Sequence, residues 1–379
     1  MIAFNHPPFV GNELEYVKDA IEQLHISGDG KYTKLCSSWI EKRANVEKCL
    51  LTTSCTHALE MTAMLCDINP GDEVIMPSFT FCSTADAFVL RGGKVVFVDI
   101  RPDTMNMDET LVESAITEHT KAIIPVHYAG VSCEMDSILQ IAKEHNLMVI
   151  EDAAQGMLSK YKGKQLGSIG DMGTYSFHET KNYSMGEGGA ILLQDKKYIE
   201  RAEIIREKGT NRSKFFRGEI DKYTWIAAGS SYLPSDMNAA YLYAQLNVAD
   251  HIFENRMETW NYYYSELKEM ANKGQIEIPV IPKECEHNAH IFWIKLRDLE
   301  ERTKFIQYAK DYGVNVVYHY VPLHSSNAGR KYGKFHLKDT YTTKESERLV
   351  RLPLWYGMGK EKEKVIQLIH DFIKKVNLK

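Results

Sequence analysis

Met148-Val149-Ile150-Glu151-Asp152-Ala153-Ala154-Gln155-Gly156 is the stretch whose reading decides the fold. Its apolar run is too short for a helix and stops abruptly at carboxylates. Apolar strands that end in this way are typical of parallel α/β sheets, whose ligand crevice lies at the carboxyl ends of the strands. Working outward, residues 174–177 (Thr-Tyr-Ser-Phe) read as a second strand, which leads into His178-Glu179-Thr180-Lys181-Asn182 and the glycine-rich Gly186-Glu187-Gly188-Gly189. An acid at one strand end and a lysine just before flexible backbone at another suit a cofactor with carbonyl chemistry.

Pyridoxal phosphate is such a cofactor. It needs a lysine amine for attachment, a carboxylate to keep its ring nitrogen protonated as an electron sink, and several donors for its phosphate. Lys181 is the candidate amine and Asp152 the candidate carboxylate, while Gln155 is suited to the ring hydroxyl and Ser176 to the phosphate. The bland alternatives are a strand-end Asp that caps the next helix and a lysine that is a solvated surface charge.

The order of EDAAQG (151–156), YSFHETKN (175–182) and GEGG (186–189) resembles the sugar-nucleotide aminotransferases among the fold-type I pyridoxal phosphate enzymes. TTSCTHALEM, GDEVIMPSFTF, FVDIRPDTMN, VHYAG, EKGTNRSKFFRG, DKYTW, GSSYL, HYVPLH and ESERLVRLPLWY follow in that family's order, so the resemblance spans nearly the whole chain. It implies a mainly parallel central sheet with a smaller C-terminal α/β domain, here expected as a large domain over 1–245 and a small one over 246–379. It also implies pyridoxal 5'-phosphate as cofactor, a sugar nucleotide and glutamate as substrates, and a homodimer with composite active sites.

Several residue roles rest on that resemblance. Ser54, Cys55 and Thr56 precede a helical pattern through Ala58, Leu59 and Ala63. Unpaired amides and the positive end of a helix dipole suit a phosphate there, against ordinary N-capping by Ser54 or Thr56. Cys55 stands where many relatives carry glycine, so a side chain must be accommodated. Phe81 matches the aromatic that stacks on the cofactor ring, against a core-packing alternative. Asp29, in Gly28-Asp29-Gly30, falls in a region that shapes the substrate pocket, or else in a plain loop between helices. Ser231 falls where many relatives carry an asparagine that reaches the partner subunit's cofactor phosphate; serine is shorter.

Other expectations come from pattern. Arg206, Lys208, Arg212, Lys214 and Arg217 mingle with Glu207, Glu219 and Asp221 in an irregular segment. It is either a solvated loop or a clamp for an anionic diphosphate, with Arg212 the leading member. Tyr320 and His324, in HYVPLH, are placed to close over a sugar, with His319 in a structural hydrogen bond. Two histidines without a suitably spaced acid do not suggest a metal. An apolar face through Ala239, Leu242, Leu246, Ala249 and Phe253 predicts one long helix from near Ser235 toward Gly274 that bridges the domains. Thr342-Thr343-Lys344-Glu345 offers a capping box.

With 379 residues, two domains are the natural expectation, and a net charge of −5 gives no global attraction for nucleic acid or anionic membranes. Cys36, Cys49, Cys55, Cys66, Cys82, Cys133 and Cys285 are odd in number and lack CxxC spacing, which points to reduced thiols. The N-terminus has neither a basic nor an apolar leader region, and a cytoplasmic protein is expected. Three rival functions differ at identifiable positions. A sugar 3-dehydratase on the same fold has histidine where Lys181 stands, a nicotinamide oxidoreductase needs an early G-x-G-x-x-G that is absent, and a silent binding protein needs no lysine and acid pair.

Overall fold

The computed structural model describes residues 1–377. Its centre is an eight-stranded sheet in the spatial order Lys48–Thr52, Gly189–Leu193, Met172–Ser176, Met148–Asp152, Thr120–Ile123, Glu73–Pro77, Lys94–Val98 and Gly333–Phe335. Gly189–Leu193 runs antiparallel to both of its neighbours, and the remaining pairs are parallel. The fold is therefore that of a fold-type I pyridoxal phosphate transferase. Helices cover both faces, so central strands such as Glu73–Pro77 and Met172–Ser176 are buried throughout, as crossover connections demand.

A second sheet, of Phe292–Lys295, Leu349–Leu352 and Val317–Tyr318, is wholly antiparallel, with Leu349–Leu352 in the middle. Its apolar face packs with Phe305, Ile369 and Phe372 from the helices Leu299–Asp311 and Glu361–Asn377. The first residues join this unit, since Ile2 bridges to Val314 and is buried in the same cluster. Traffic also runs the other way: Gly333–Phe335 completes the edge of the large sheet beside Lys94–Val98.

The helix expected from Ser235 to Gly274 is two helices, Asp236–Leu246 and Ala249–Asn272, broken at Asn247 and Val248. The apolar face stays in phase across the break. Ala249 and Ile252 belong to the large core, whereas Trp260, Tyr263 and Leu267 belong to the small one, so the second helix does join the two. The expected capping box is also different. Thr342 donates its amide and hydroxyl to Asp99, and Thr343 donates both to Asp339. Glu345 is drawn instead to Lys295 and Arg348, because Asp99 already satisfies the Thr342 amide while the buried Lys295 needs a counter-charge.

Gly28-Asp29-Gly30 owes its composition to packing. A Cβ on Gly28 would meet Leu233 Cγ at 2.2 Å, and one on Gly30 would meet the Asp236 carboxylate at 2.4 Å. That carboxylate accepts the amides of Tyr32 and Thr33 at the start of helix Lys31–Ala44, a cap supplied from far along the chain.

Candidate active site

A cavity of about 680 Å³ opens between the carboxyl ends of the large sheet and one side of the small one. Strand ends supply most of its floor. Asp152 closes strand Met148–Asp152, Ser176 closes Met172–Ser176, and Ser54 follows Lys48–Thr52 into helix Cys55–Leu65. Lys181 lies on the turn after Ser176, and Tyr320, His319 and Arg351 come from the small sheet and the turn beyond it.

Glu151 and Asp152 are neighbours with opposite fates, because successive strand residues point to opposite faces. Glu151 accepts hydrogen bonds from the amides of Gly167, Ile169 and Gly170 at 2.7, 2.6 and 2.7 Å. His127 Nε2 donates a further one at 2.9 Å, its proton fixed there because Nδ1 accepts from the Cys133 amide. Glu151 is thus a saturated structural group. Asp152 faces the cavity, and its carboxylate accepts from the Thr84 hydroxyl at 2.7 Å and the Ala154 amide at 3.2 Å. Both bonds orient it and leave acceptor capacity for a ligand.

Lys181 is held through its backbone and its neighbour. Its amide donates to the His178 carbonyl, while Asn182 donates to the Asn288 carbonyl and accepts from His290 Nδ1. Among the described residues its amine has no hydrogen-bond or ion-pair partner. Removal from water lowers its pKa from the ordinary lysine value, nearby Cys55 and Asp152 act to raise it, and Arg351 lowers it further. A depressed lysine is more often neutral and therefore nucleophilic near neutral pH. Burial also pushes His290 and His319 well below the usual histidine value, so both are neutral donors or acceptors.

The helix at Ser54 shows how capping and anion binding coexist. Ser54 Oγ accepts from the His57 amide at 3.1 Å, and the Thr56 hydroxyl donates to Ser83. The first amides of the helix remain directed to the cavity side, and Ser176 Oγ, which accepts from the His178 amide, keeps its own proton to donate. The Cys55 side chain is accommodated beside Thr174, and burial pushes its thiol up to about 12, so it is a neutral group in the cavity wall. Gly189 makes room for this: a Cβ there would lie 2.4 Å from the Cys55 amide.

Gln155 accepts from the Ala129 amide at 2.6 Å and donates to the Tyr320 hydroxyl at 3.1 Å, joining the floor to the small sheet. Phe81 stands half-exposed at the cavity rim, its ring 6.3 Å from that of Tyr320. Four expected site residues lie off the cavity. Asp29 is engaged by Arg206, and Arg212 by Glu207 at 2.8 Å and the faces of Phe216 and Tyr223. His324 is bonded at both ring nitrogens, to Ser78 at 2.7 Å and Asp339 at 3.2 Å, whereas His319 shares the expected structural hydrogen bond, 3.1 Å, with the Tyr128 hydroxyl and also lines the cavity. Ser231 is exposed, in a bridge with Glu207. Sequence reasoning missed Thr84, His290 and Arg351. Only Arg351 carried a signal, as a lone charge inside the apolar run 349–352.

Residues 9–370 match the DegT/DnrJ/EryC1/StrS aminotransferase family, to which the chain belongs. It is a pyridoxal-phosphate-dependent sugar aminotransferase. A GDP-perosamine synthase of Caulobacter vibrioides is 33% identical over 288 residues, covering 76% of this chain and 74% of the relative. An aminotransferase from Streptoalloteichus hindustanus superposes with a TM-score of 0.91 at 25% identity, covering 100% of both chains. A Streptococcus pneumoniae protein assigned to the sugar aminotransferases, solved in a PMP-form and a PLP-form, is 26% identical; the PMP-form has a TM-score of 0.92 and covers 99% of this chain and 100% of its own.

The residues of the cavity fit this cofactor. Asp152 would hold the protonated ring nitrogen, the amides after Ser54 with Ser176 would hold the phosphate, and Lys181 would hold the aldehyde carbon. When bound, the cofactor supplies an electron sink that lets a C–H bond next to the reacting nitrogen release its proton. The Lys181 amine, with no competing partner among the described residues, would be the base that takes and returns that proton.

Proposed function

We propose that the chain transfers the amino group of glutamate to C4 of dTDP-4-keto-6-deoxy-glucose, giving dTDP-4-amino-4,6-dideoxy-galactose, a sugar of the kind built into enterobacterial surface polysaccharides. The observation that carries transamination is the meeting of Lys181 and Asp152 in one cavity with the N-terminus of helix Cys55–Leu65. For the choice of sugar, the support is the run of family-like segments 209–218, 221–225 and 229–233. In the proposed reaction, the face from which Lys181 delivers the proton sets the C4 configuration. A sugar turned over in the same cavity would give the gluco epimer.

Incubation with that ketone, pyridoxal phosphate and glutamate, followed by NMR of the product, tests this. An axial C4 amine is expected. An equatorial C4 amine, or an amine at C3, overturns the choice of sugar and leaves transamination standing.

The reading includes a homodimer and a division into a large unit over 1–245 and a small one over 246–379. The helix break at Asn247 and Val248, close to that boundary, supports the division. Phe216, Trp225 and Ile226 are exposed at 69%, 76% and 50%, an apolar surface suited to a second copy of the chain. Sedimentation should give a dimer, and a fully active monomer would defeat the composite site.

A further inference from the structure

His290 is held from three directions by other parts of the chain. Its amide donates to Asn288 Oδ1 at 3.1 Å, its carbonyl accepts from the buried Arg256 at 3.0 Å, and its ring Nδ1 meets Asn182 Oδ1 at 2.8 Å. These contacts fix where the ring proton sits. Asn182 donates its amide nitrogen to the Asn288 carbonyl at 2.9 Å, so its oxygen is the atom turned to His290, and that oxygen only accepts. Nδ1 therefore carries the hydrogen, and Nε2 carries a lone pair. Burial, with the charges of Lys181, Arg256 and Arg351 nearby, holds the ring well below the usual histidine value, so the lone pair stays free at neutral pH. His319 is different, because its Nδ1 faces the Tyr128 hydroxyl, which suits either tautomer.

The His290 side chain lines the cavity although the residue is only 9% exposed, and Nε2 has no hydrogen-bond partner among the described residues. A nearly buried acceptor without a donor is costly, and a ligand can supply the donor. Asn182 directly follows Lys181, so one hydrogen bond separates the ring from the residue beside the reacting amine. We propose that His290 Nε2 accepts a hydrogen bond from the sugar hydroxyl on the carbon next to the ketone. Chemistry sets aside the other groups that enter. Carboxylate, ionised phosphate and ketone oxygens have lone pairs and no proton to give. The amine of the amino acid has protons, but it is the group that reacts and is given up. A hydroxyl persists from keto sugar to amino sugar, and Lys181 serves the carbon beside it. With the ketone at C4 this is the C3 hydroxyl, since C5 bears only the ring oxygen, a hydrogen and carbon. An obligate acceptor here makes the site select keto sugars that keep this hydroxyl over those that have lost it.

This rests on amination of a keto sugar, not on the nucleotide or the configuration of the product. The test uses the holoenzyme, unmodified and as His290→Phe, with the keto sugar nucleotide and an analogue that has hydrogen in place of the neighbouring hydroxyl. In the unmodified protein kcat/KM should fall about tenfold to a hundredfold on removal of the hydroxyl, as loss of the donor to a buried acceptor implies. In His290→Phe the two sugars should agree within about threefold. The ratio between the sugars is the measure, because displacement of Lys181 through the broken contact to Asn182 would slow both alike. A full ratio retained in His290→Phe overturns the proposal, as do equal rates for the two sugars in the unmodified protein. Should His290→Phe fail to fold, a third sugar with fluorine at the same carbon decides in the unmodified protein. Fluorine accepts and does not donate, so its KM should match that of the deoxy sugar, and a KM equal to that of the parent overturns the proposal. Failure of the unmodified protein to aminate any keto sugar would instead remove the reading on which this rests.

Discussion

Two parts of this molecule are rich in charge, and they use it in opposite ways. In the segment 200–221 every basic side chain meets an acid: Lys214 meets Glu200, Arg217 meets Glu203 and Glu219, Arg212 and Lys208 share Glu207, and Arg201 and Arg206 meet the distant Asp67 and Asp29. In the cavity, Lys181 and Arg351 have no counter-charge in hydrogen-bond contact among the described residues, and Asp152 is held by neutral donors. The first pattern neutralises itself and gives mostly small, solvent-screened contributions. The second leaves charges unsatisfied, and only a ligand can complete them. A basic run in a sequence is therefore weaker evidence for an anion site than one buried charge without a mate.

Substitutions can break this contrast. Lys181→Ala removes the lysine that lines the cavity, and transamination should fall by about a thousandfold or more, the scale expected for loss of a positioned acid–base group. Stopped-flow rates with cofactor present are the check, and a normal rate would end the assignment. Asp152→Asn keeps the shape and removes the charge, so a loss of about a hundredfold or more is expected with cofactor still bound. Unchanged kinetics would rule out its hold on the ring nitrogen. Arg212→Gln should alter the KM for the sugar by less than about threefold, because Glu207 already neutralises it. A tenfold rise would restore Arg212 as part of a diphosphate clamp and blur the contrast.

The subtlest test is thermal stability. The folded-state pKa of Lys181 lies below its unfolded value of about 10.4. Below that pH the unfolded chain takes up the proton more readily, so folding is penalised; the penalty fades as pH rises through the unfolded value. Lys181→Met in cofactor-free protein should therefore raise Tm at neutral pH, and the gain should vanish near about pH 11. A gain independent of pH would mean that packing, rather than charge, was responsible.

Much of the fold and the core of the site was legible because it is local. A strand that halts at Asp152, a turn that carries Lys181 and a small polar cap at Ser54 each announce themselves within a few residues. What escaped the sequence depends on distant partners. Nothing around Thr342 shows that Asp99 caps it, and nothing near Asp29 shows that Arg206 occupies its carboxylate. His319 and His324 are equivalent as letters; only the approach of Ser78 and Asp339 removes one of them from the cavity. The helix break at Asn247 and Val248 was hidden because no glycine or proline marks it and the apolar phase continues.

The strand Gly333–Phe335 has a consequence for how the chain comes into being. Until it docks, Lys94–Val98 is an open edge of the large sheet, with unpaired amides and carbonyls beside the buried Val95, Val96 and Phe97. The ribosome delivers residues 333–335 only after more than two hundred further residues have emerged, so the nascent large sheet must wait with an adhesive border. Chains that end before residue 333 should self-associate, and the late arrival of that short strand serves as the seal that makes the finished protein safe at high concentration.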